Sequence, residues 1–175
     1  MSGAARPMRM ASKSSVWPCG FNRFSKVFMT SPRGPSALVL FQFQTDGQRT
    51  YFLDQHVEGF GHSGFHVVVA SRTKSKAENL IEGCENAEAV AFNIASDDSL
   101  LEELTAKVDL VCSLLPYTFH VKAAKVAIKH KKAFCTTSYI SDEMKALEDD
   151  AKMAGILLLN ECGVDPGIYH MSAMQ

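Results

Sequence analysis

From His66 onward the apolar positions change period in a regular way. His66–Val67–Val68–Val69–Ala70 is β-branched and apolar almost throughout, as expected of a strand covered on both faces. Lys74 to Ile81 is helical in composition, and Gly83 ends it. Ala89 to Ile94 reads as the next strand. Ser96 or Asp97 then caps a helix whose Leu100, Leu101, Leu104 and Val108 share one face. Asp109 to Leu114 is a strand, and Phe119 to Lys131 is a helix with Val121, Ala124, Ala127 and Ile128 inward. Ala133 to Thr136 is a strand. Ser141 caps a helix with Met144, Leu147, Ala151 and Ala154 on one side, closed by Gly155. Ile156 to Leu159 is a last strand, followed by the loop Asn160–Gly167 and the start of another helix. Strands alternating with helices of about ten residues predict an α/β fold, a parallel sheet with helices on its faces.

Upstream the pattern is weaker. Residues 1–36 carry Pro7, Pro18, Pro32 and Pro35 among scattered Ser and Gly, and little stable structure is expected there. Ala37–Leu38–Val39–Leu40–Phe41 is a short apolar run that can form a strand. Thr45–Asp46–Gly47–Gln48 reads as a turn from which Arg49–Leu53 can pair back as a hairpin. Gly59–Gly64 is a glycine-rich connection. The chain thus divides into a basic tail (1–36), a segment of uncertain structure (37–65) and a regular α/β region (66–175).

Composition narrows the class. The 175 residues are 46% hydrophobic with a net charge of −1, enough for a core and no argument for nucleic acid or an anionic membrane as partner. No apolar run approaches a membrane span. Five irregularly spaced cysteines without Cys-x-x-Cys argue for reduced thiols and against a disulfide frame or a zinc site. Charge is uneven: before Asp46 there is no acidic residue, yet Arg6, Arg9, Lys13, Arg23, Lys26 and Arg33 are present. Such a start suits a disordered tail or a mitochondrial transit peptide. Cytosol is the expected compartment, with mitochondrion as the alternative.

Candidate chemistry lies where strands end, because open parallel sheets bind ligands in the crevice beyond their carboxyl ends. Ser71–Arg72–Thr73 follows a strand. There an acidic residue suits the ribose 2′-hydroxyl of NAD, whereas an arginine suits the 2′-phosphate of NADP; a plain surface arginine is the alternative. Asn93–Ile94 ends a strand where an adenine pocket is often lined. Ser113–Leu114–Leu115–Pro116–Tyr117 turns sharply at Pro116 and can expose backbone amides and a hydroxyl. Thr136–Thr137–Ser138–Tyr139 ends the following strand with three hydroxyls and a tyrosine. Two successive hydroxyl-rich strand ends favour a shared site. His120 reads as a helix-start residue rather than a catalyst, and Cys162 as a packed thiol, since no paired base is evident. The loop Asn160–Glu161–Cys162–Gly163–Val164–Asp165–Pro166–Gly167 is the densest polar turn and leads into a helix start that suits an acidic group.

Taken in order, these motifs are more specific than any one of them. Val-Ala-Ser-Arg-Thr at 69–73, Asp-Leu-Val at 109–111, Ser-Leu-Leu-Pro-Tyr-Thr-Phe-His at 113–120, Thr-Thr-Ser-Tyr-Ile-Ser at 136–141 and Asn-Glu-Cys-Gly-Val-Asp-Pro-Gly-Ile at 160–168 closely resemble the NADP-binding half of saccharopine dehydrogenases of the L-glutamate-forming type. The resemblance implies a Rossmann-like doubly wound sheet and an oxidoreductase of lysine metabolism. Its reaction would be hydride transfer between NADP(H) and saccharopine, or glutamate plus 2-aminoadipate semialdehyde. It further implies that Ser71 and Arg72 hold the 2′-phosphate and that Asn93 and Ile94 border the adenine. Tyr139, Ile140 and Ser141 would lie along the nicotinamide side, and Ser113, Leu114 and Asp142 would approach saccharopine. A homo-oligomer is possible.

The chain departs from the family pattern in several places. No strand followed by a Gly-x-Gly-x-x loop precedes Ser71, and residues 1 to about 60 show no resemblance. Tyr169 stands where an aspartate is expected, and the chain stops at Gln175, before a substrate domain. The expectation is an incomplete sheet that keeps the second strand onward, with the 37–41 run an open candidate for the first. Such a chain would be catalytically weak or inactive alone. The rival expectation is a nonenzymatic nucleotide-binding or interaction module that pairs through the edge left by a missing strand.

Overall fold

A computed structural model of the chain describes residues 34–41, 64–163 and 165–174. The strands are β1 (Ser36–Phe41), β2 (His66–Ser71), β3 (Ala87–Ala91), β4 (Leu110–Leu114), β5 (Ala133–Thr136) and β6 (Leu158–Leu159). The helices are α1 (Lys74–Leu80), α2 (Asp98–Lys107), α3 (His120–Lys129), α4 (Asp142–Lys145), α5 (Glu148–Ala154) and α6 (Ile168–Ala173), with a 3₁₀ turn at Tyr117–Phe119. All six strands are parallel, in the order β3-β2-β1-β4-β5-β6. That order is the doubly wound dinucleotide arrangement, with the reversal of strand order between β1 and β4.

The 37–41 run is therefore the first strand. Its residues pair with β2 on one side and β4 on the other. Ala37, Leu38, Val39, Leu40 and Phe41 are all 0–1% exposed, which explains a run apolar at every position rather than at alternate ones. The expectation that the chain begins at the second strand is corrected, and the edge on which the interaction-module reading depended is filled. Ser36 anchors the strand start: its N–H and its hydroxyl both donate to Asp109 Oδ2, at 3.0 and 2.9 Å. The Arg49–Leu53 hairpin, the 45–48 turn and the tail before residue 34 lie outside the described residues.

Alternation sends the strand side chains into two cores. Leu38, Leu40, Val68, Val111 and Phe134 face α2, α3 and the α4–α5 pair, joined by Leu101, Leu104, Ala124, Ala127, Met144 and Leu147. Val39, Phe41, Val67, Val69 and Leu110 face the other way, with Ala77 and Leu80 of α1. Each fully buried Leu or Phe contributes about 1.5–3 kcal/mol.

Local boundaries differ from expectation by a few residues. The third strand stops at Ala91, so Asn93 and Ile94 lie in the turn beyond it. Asp97 precedes α2 without a side-chain cap bond to it; its Oδ2 instead accepts from Asn93 N–H at 2.8 Å. The Ser141 helix is split into α4 and α5 at Ala146–Leu147. Its cap is as expected: Ser141 Oγ accepts from Met144 N–H at 3.1 Å. Gly155 closes α5 at φ 70°, a left-handed position where glycine has no steric cost. Among the described residues no helix is long and apolar enough to cross a membrane, no group of three acidic, His or Cys side chains forms a metal site, and Cys84, Cys112, Cys135 and Cys162 are free thiols.

Candidate functional site

Parallel register puts the ends of the central strands in one line. Ser71 lies opposite Phe41 of β1 and Ala91 of β3, and Phe41 lies opposite Leu114 of β4. One residue back, Ser113 lies between Leu40 and Thr136. Ser71, Leu114 and Thr136 thus occupy one sheet edge. Neighbouring strands are about 4.8 Å apart, so Ser71 and Thr136 are separated by roughly 14 Å. The crevice beyond that edge, at the β1/β4 reversal, is where this architecture takes an extended dinucleotide.

The site residues differ in what they present. Ser71 is buried at the strand end, and Arg72 follows it on the surface. Asn93 is half-buried and its side-chain carbonyl accepts from Ala95 N–H at 3.2 Å, shaping a tight turn. Ile94 is 1% exposed and packs in the α2–α3 core; its carbonyl accepts from Lys122 Nζ at 2.7 Å. Asp97 closes this turn, and the Asn93 N–H and then the Ser96 hydroxyl hold its carboxyl below the usual range.

At the β4 end, Leu114 is half-buried and Ser113 fully buried. Ser113 Oγ lies 2.9 Å from Nδ1 of His120, the first residue of α3. His120 Nε2 lies 2.7 Å from Ser138 Oγ in the turn after β5. The imidazole is 3% exposed, and burial pushes its pKa down to about 4. His120 is indeed a helix-start residue, but it also ties two strand ends together. The sequence signal for that role was faint: a histidine seven residues past a strand-end serine, with hydroxyl-rich turns on both sides.

Beyond β5 the chain meets the 160–167 loop. The Tyr139 hydroxyl donates to Asp165 Oδ1 at 2.7 Å, a bond to a carboxylate that raises the phenol pKa. Ile140 N–H donates to Glu161 Oε1 at 3.2 Å. Tyr139 and Ile140 remain exposed, as do Tyr117 and Asp142. Gly167 makes the loop possible: at φ 139° an added Cβ would sit 2.1 Å from the Gly163 carbonyl oxygen. The Cys162 thiol is pushed up to about 11, chiefly by burial of the sulfur, although the residue as a whole is exposed. Such a thiol carries little thiolate at neutral pH. A cavity of about 260 Å³ opens between Ile140, Met144, Ala151, Ile156, Leu158 and Asn160. It flanks the Tyr139 side rather than the strand reversal, so the open crevice, not this cavity, suits a long ligand.

Comparison with known proteins agrees with the motif order. The family model of the saccharopine dehydrogenase NADP binding domain matches residues 53–159, more than half of the chain. The chain belongs to this family. The match starts upstream of β2, so the family resemblance reaches further back than His66, while β1 precedes it. Among relatives of this saccharopine dehydrogenase family, the NADP(+), L-glutamate-forming saccharopine dehydrogenase of Schizosaccharomyces pombe is 46% identical over 110 residues, 63% of this chain and 24% of that protein. The alpha-aminoadipic semialdehyde synthase of Arabidopsis thaliana is 44% identical over 110 residues, covering 63% of this chain and 10% of that protein. The solved apo saccharopine dehydrogenase (L-Glu forming) of Saccharomyces cerevisiae superposes with a TM-score of 0.68 at 36% identity, covering 80% of this chain and 30% of that one. The chain spans about a quarter of the length of the fungal relatives it matches.

Proposed function

We propose that this chain binds NADP across the carboxyl edge of its sheet, as the nucleotide half of a saccharopine dehydrogenase. The observation that carries the reading is the alignment of Ser71, Leu114 and Thr136 along one edge, each inside the family match. Ser71 and Arg72 hold the 2′-phosphate, the serine by its hydroxyl and the arginine by its planar fork. Asn93 and the turn at Ile94 border the adenine. Tyr139, Ile140 and Ser141 line the nicotinamide side, where the bonds to Asp165 and Glu161 fix the turn. Ser113, Leu114 and Asp142 face the substrate side.

The residues fit the two ends of the dinucleotide better than its middle. The pyrophosphate of a bound dinucleotide lies over the turn after the first strand. The sequence directly after β1 reads Gln42–Phe43–Gln44–Thr45–Asp46–Gly47, without the Gly-x-Gly that lets a backbone approach a phosphate closely. Affinity is therefore expected below that of a relative with the glycine loop, with the 2′-phosphate preference retained.

When bound, NADP supplies the hydride acceptor or donor. In the whole-enzyme reaction, saccharopine loses a hydride from the carbon bearing its secondary amine. The resulting imine adds water and splits to glutamate and 2-aminoadipate semialdehyde, and the reverse condenses and reduces. This chain's part is to bind and orient the cofactor. The chain spans about a quarter of the length of the fungal relatives and carries no Gly-x-Gly directly after β1, so turnover by these 175 residues alone is expected to be negligible. Cytosol is the proposed compartment, and imaging a fusion with an unblocked N-terminus separates it from the mitochondrion.

Titration of the purified chain with NADPH and NADH, followed by cofactor fluorescence, tests the reading. NADPH is expected to bind more tightly. Arg72→Ala should cost about tenfold to a hundredfold in NADPH affinity, the worth of a charge-assisted bond, and leave NADH unchanged. Equal affinity for both cofactors would sink the proposal. Saccharopine plus NADP should produce no NADPH absorbance at the rate of a full-length relative; such turnover would overturn the expectation that these 175 residues alone bind the cofactor without turning over.

A further inference from the structure

The buried Ser113, His120 and Thr136 and the half-buried Ser138 join the ends of β4 and β5, and their hydrogen-bond geometry constrains where each proton sits. His120 Nδ1 is 2.9 Å from Ser113 Oγ and Nε2 is 2.7 Å from Ser138 Oγ. Thr136 Oγ1 is almost equidistant from the two nitrogens, at 3.4 and 3.3 Å. The two serines are therefore the closer partners of the ring nitrogens, and Thr136 Oγ1 also accepts the Ser138 N–H at 3.3 Å.

A neutral imidazole has one donor and one acceptor. Ser113 is 0% exposed, so its hydroxyl hydrogen needs an acceptor inside the protein. Among the described residues that acceptor is His120 Nδ1. Nε2 then carries the ring hydrogen and donates to Ser138 Oγ. Ser138 is half-buried at the open end of the sheet, and with its oxygen engaged its own hydrogen is left to point outward. The opposite tautomer strands the Ser113 hydrogen in the core. The imidazolium strands it too and buries a charge, in keeping with the downward pull of burial on this ring.

We infer that His120 is a positioning residue, held as the neutral Nε2–H tautomer, that presents the Ser138 hydroxyl as a hydrogen-bond donor to an acceptor oxygen of the dinucleotide. The ligand part of this inference rests on the NADP reading; the tautomer part stands on the apo geometry alone. Ser138 thus becomes a binding residue in its own right, beside Tyr139, and one ring bridges the end of β4 and the turn after β5.

Two measurements on the full 175-residue chain test this. Long-range ¹H–¹⁵N correlation spectra of histidine-labelled protein at pH 7, with His120 assigned by loss of its signal in His120→Gln, should show a protonated Nε2 and an unprotonated Nδ1. A protonated Nδ1, alone or with Nε2, overturns the tautomer and with it the orientation of Ser138. In NADPH titrations, Ser138→Ala should weaken binding roughly fivefold to tenfold, the worth of one hydrogen bond. His120→Phe should cost a similar factor, and the double variant no more than either. His120→Gln, whose side-chain amide can replace Nε2–H, should restore most of the affinity and covers the case in which His120→Phe fails to fold. Unchanged binding by Ser138→Ala in a chain that binds NADPH overturns the donor role. Absence of NADPH binding by the parent chain overturns the cofactor reading and the ligand part with it, while the spectrum still decides the tautomer.

Discussion

β1 and β6 occupy opposite situations in the same sheet. β1 precedes the stretch that matches the family, yet it fills the central slot, is paired on both sides and is buried at each apolar position. β6 lies inside the match, yet it is a two-residue edge strand whose Leu159 is 36% exposed. The comparison teaches that a strand's place in a sheet is set by its apolar run and its ladder partners. A chain with an unusual upstream sequence can keep a Rossmann-like sheet if five consecutive residues suffice for the centre. What a central strand does not supply is the Gly-x-Gly sequence that the dinucleotide pattern places after it, because close backbone approach to a phosphate needs glycine rather than hydrophobicity.

The sharpest way to break the contrast is a charge at the centre. Val39→Asp buries an unpaired carboxylate between two ladders and should abolish cooperative unfolding, read by circular dichroism in urea; Leu159→Asp should leave a cooperative transition. A native-like urea transition for Val39→Asp would mean β1 does not occupy the centre. A milder version is Leu38→Ala, expected to cost about 2–5 kcal/mol from the lost burial and the cavity. Leu159→Ala should stay below about 1 kcal/mol.

Next in size is a pH effect at the β4–β5 end. Unfolded, the His120 imidazole titrates near 6.5; folded, burial holds it at about 4. Between those values the unfolded chain binds a proton that the folded chain does not, so stability falls as the pH drops through this window and is complete above it. The loss should reach about 3 kcal/mol, at 1.36 kcal/mol per pH unit. Urea midpoints between pH 7 and 4 should show it, and His120→Gln should flatten the wild-type slope. An unaltered slope would mean another group supplies it.

Smaller still is the anchor that ties the unusual segment to the family region. Asp109→Ala removes both bonds from Ser36 and should cost about 1–3 kcal/mol. Lys152→Ala, which removes exposed ion pairs with Glu148 and Asp149, should leave the melting midpoint unchanged. A larger loss from Lys152→Ala than from Asp109→Ala would show that the strand start is held by other means.

Much of this molecule was legible before any coordinates. Runs such as Val67–Ala70 and Ala133–Cys135 have strand character wherever they are placed. The Leu101–Leu104–Val108 stripe is a helix face, and Ser141 is a cap, because each rests on contacts within a few residues. The strand ends, and so the candidate groove, followed from those local patterns. The central place of β1 did not follow, because it depends on pairing Ser36 with Asp109 across 73 residues of chain, and an apolar run does not name its partner. Nor did the roles of Ile94 and His120. Both belong to strand-end motifs, but tertiary packing turned the first into the core and closed the second between a serine of β4 and a serine in the turn after β5. Local sequence determines which backbone states are cheap, whereas only the folded chain decides which side chains meet across the sheet and which are left facing the groove.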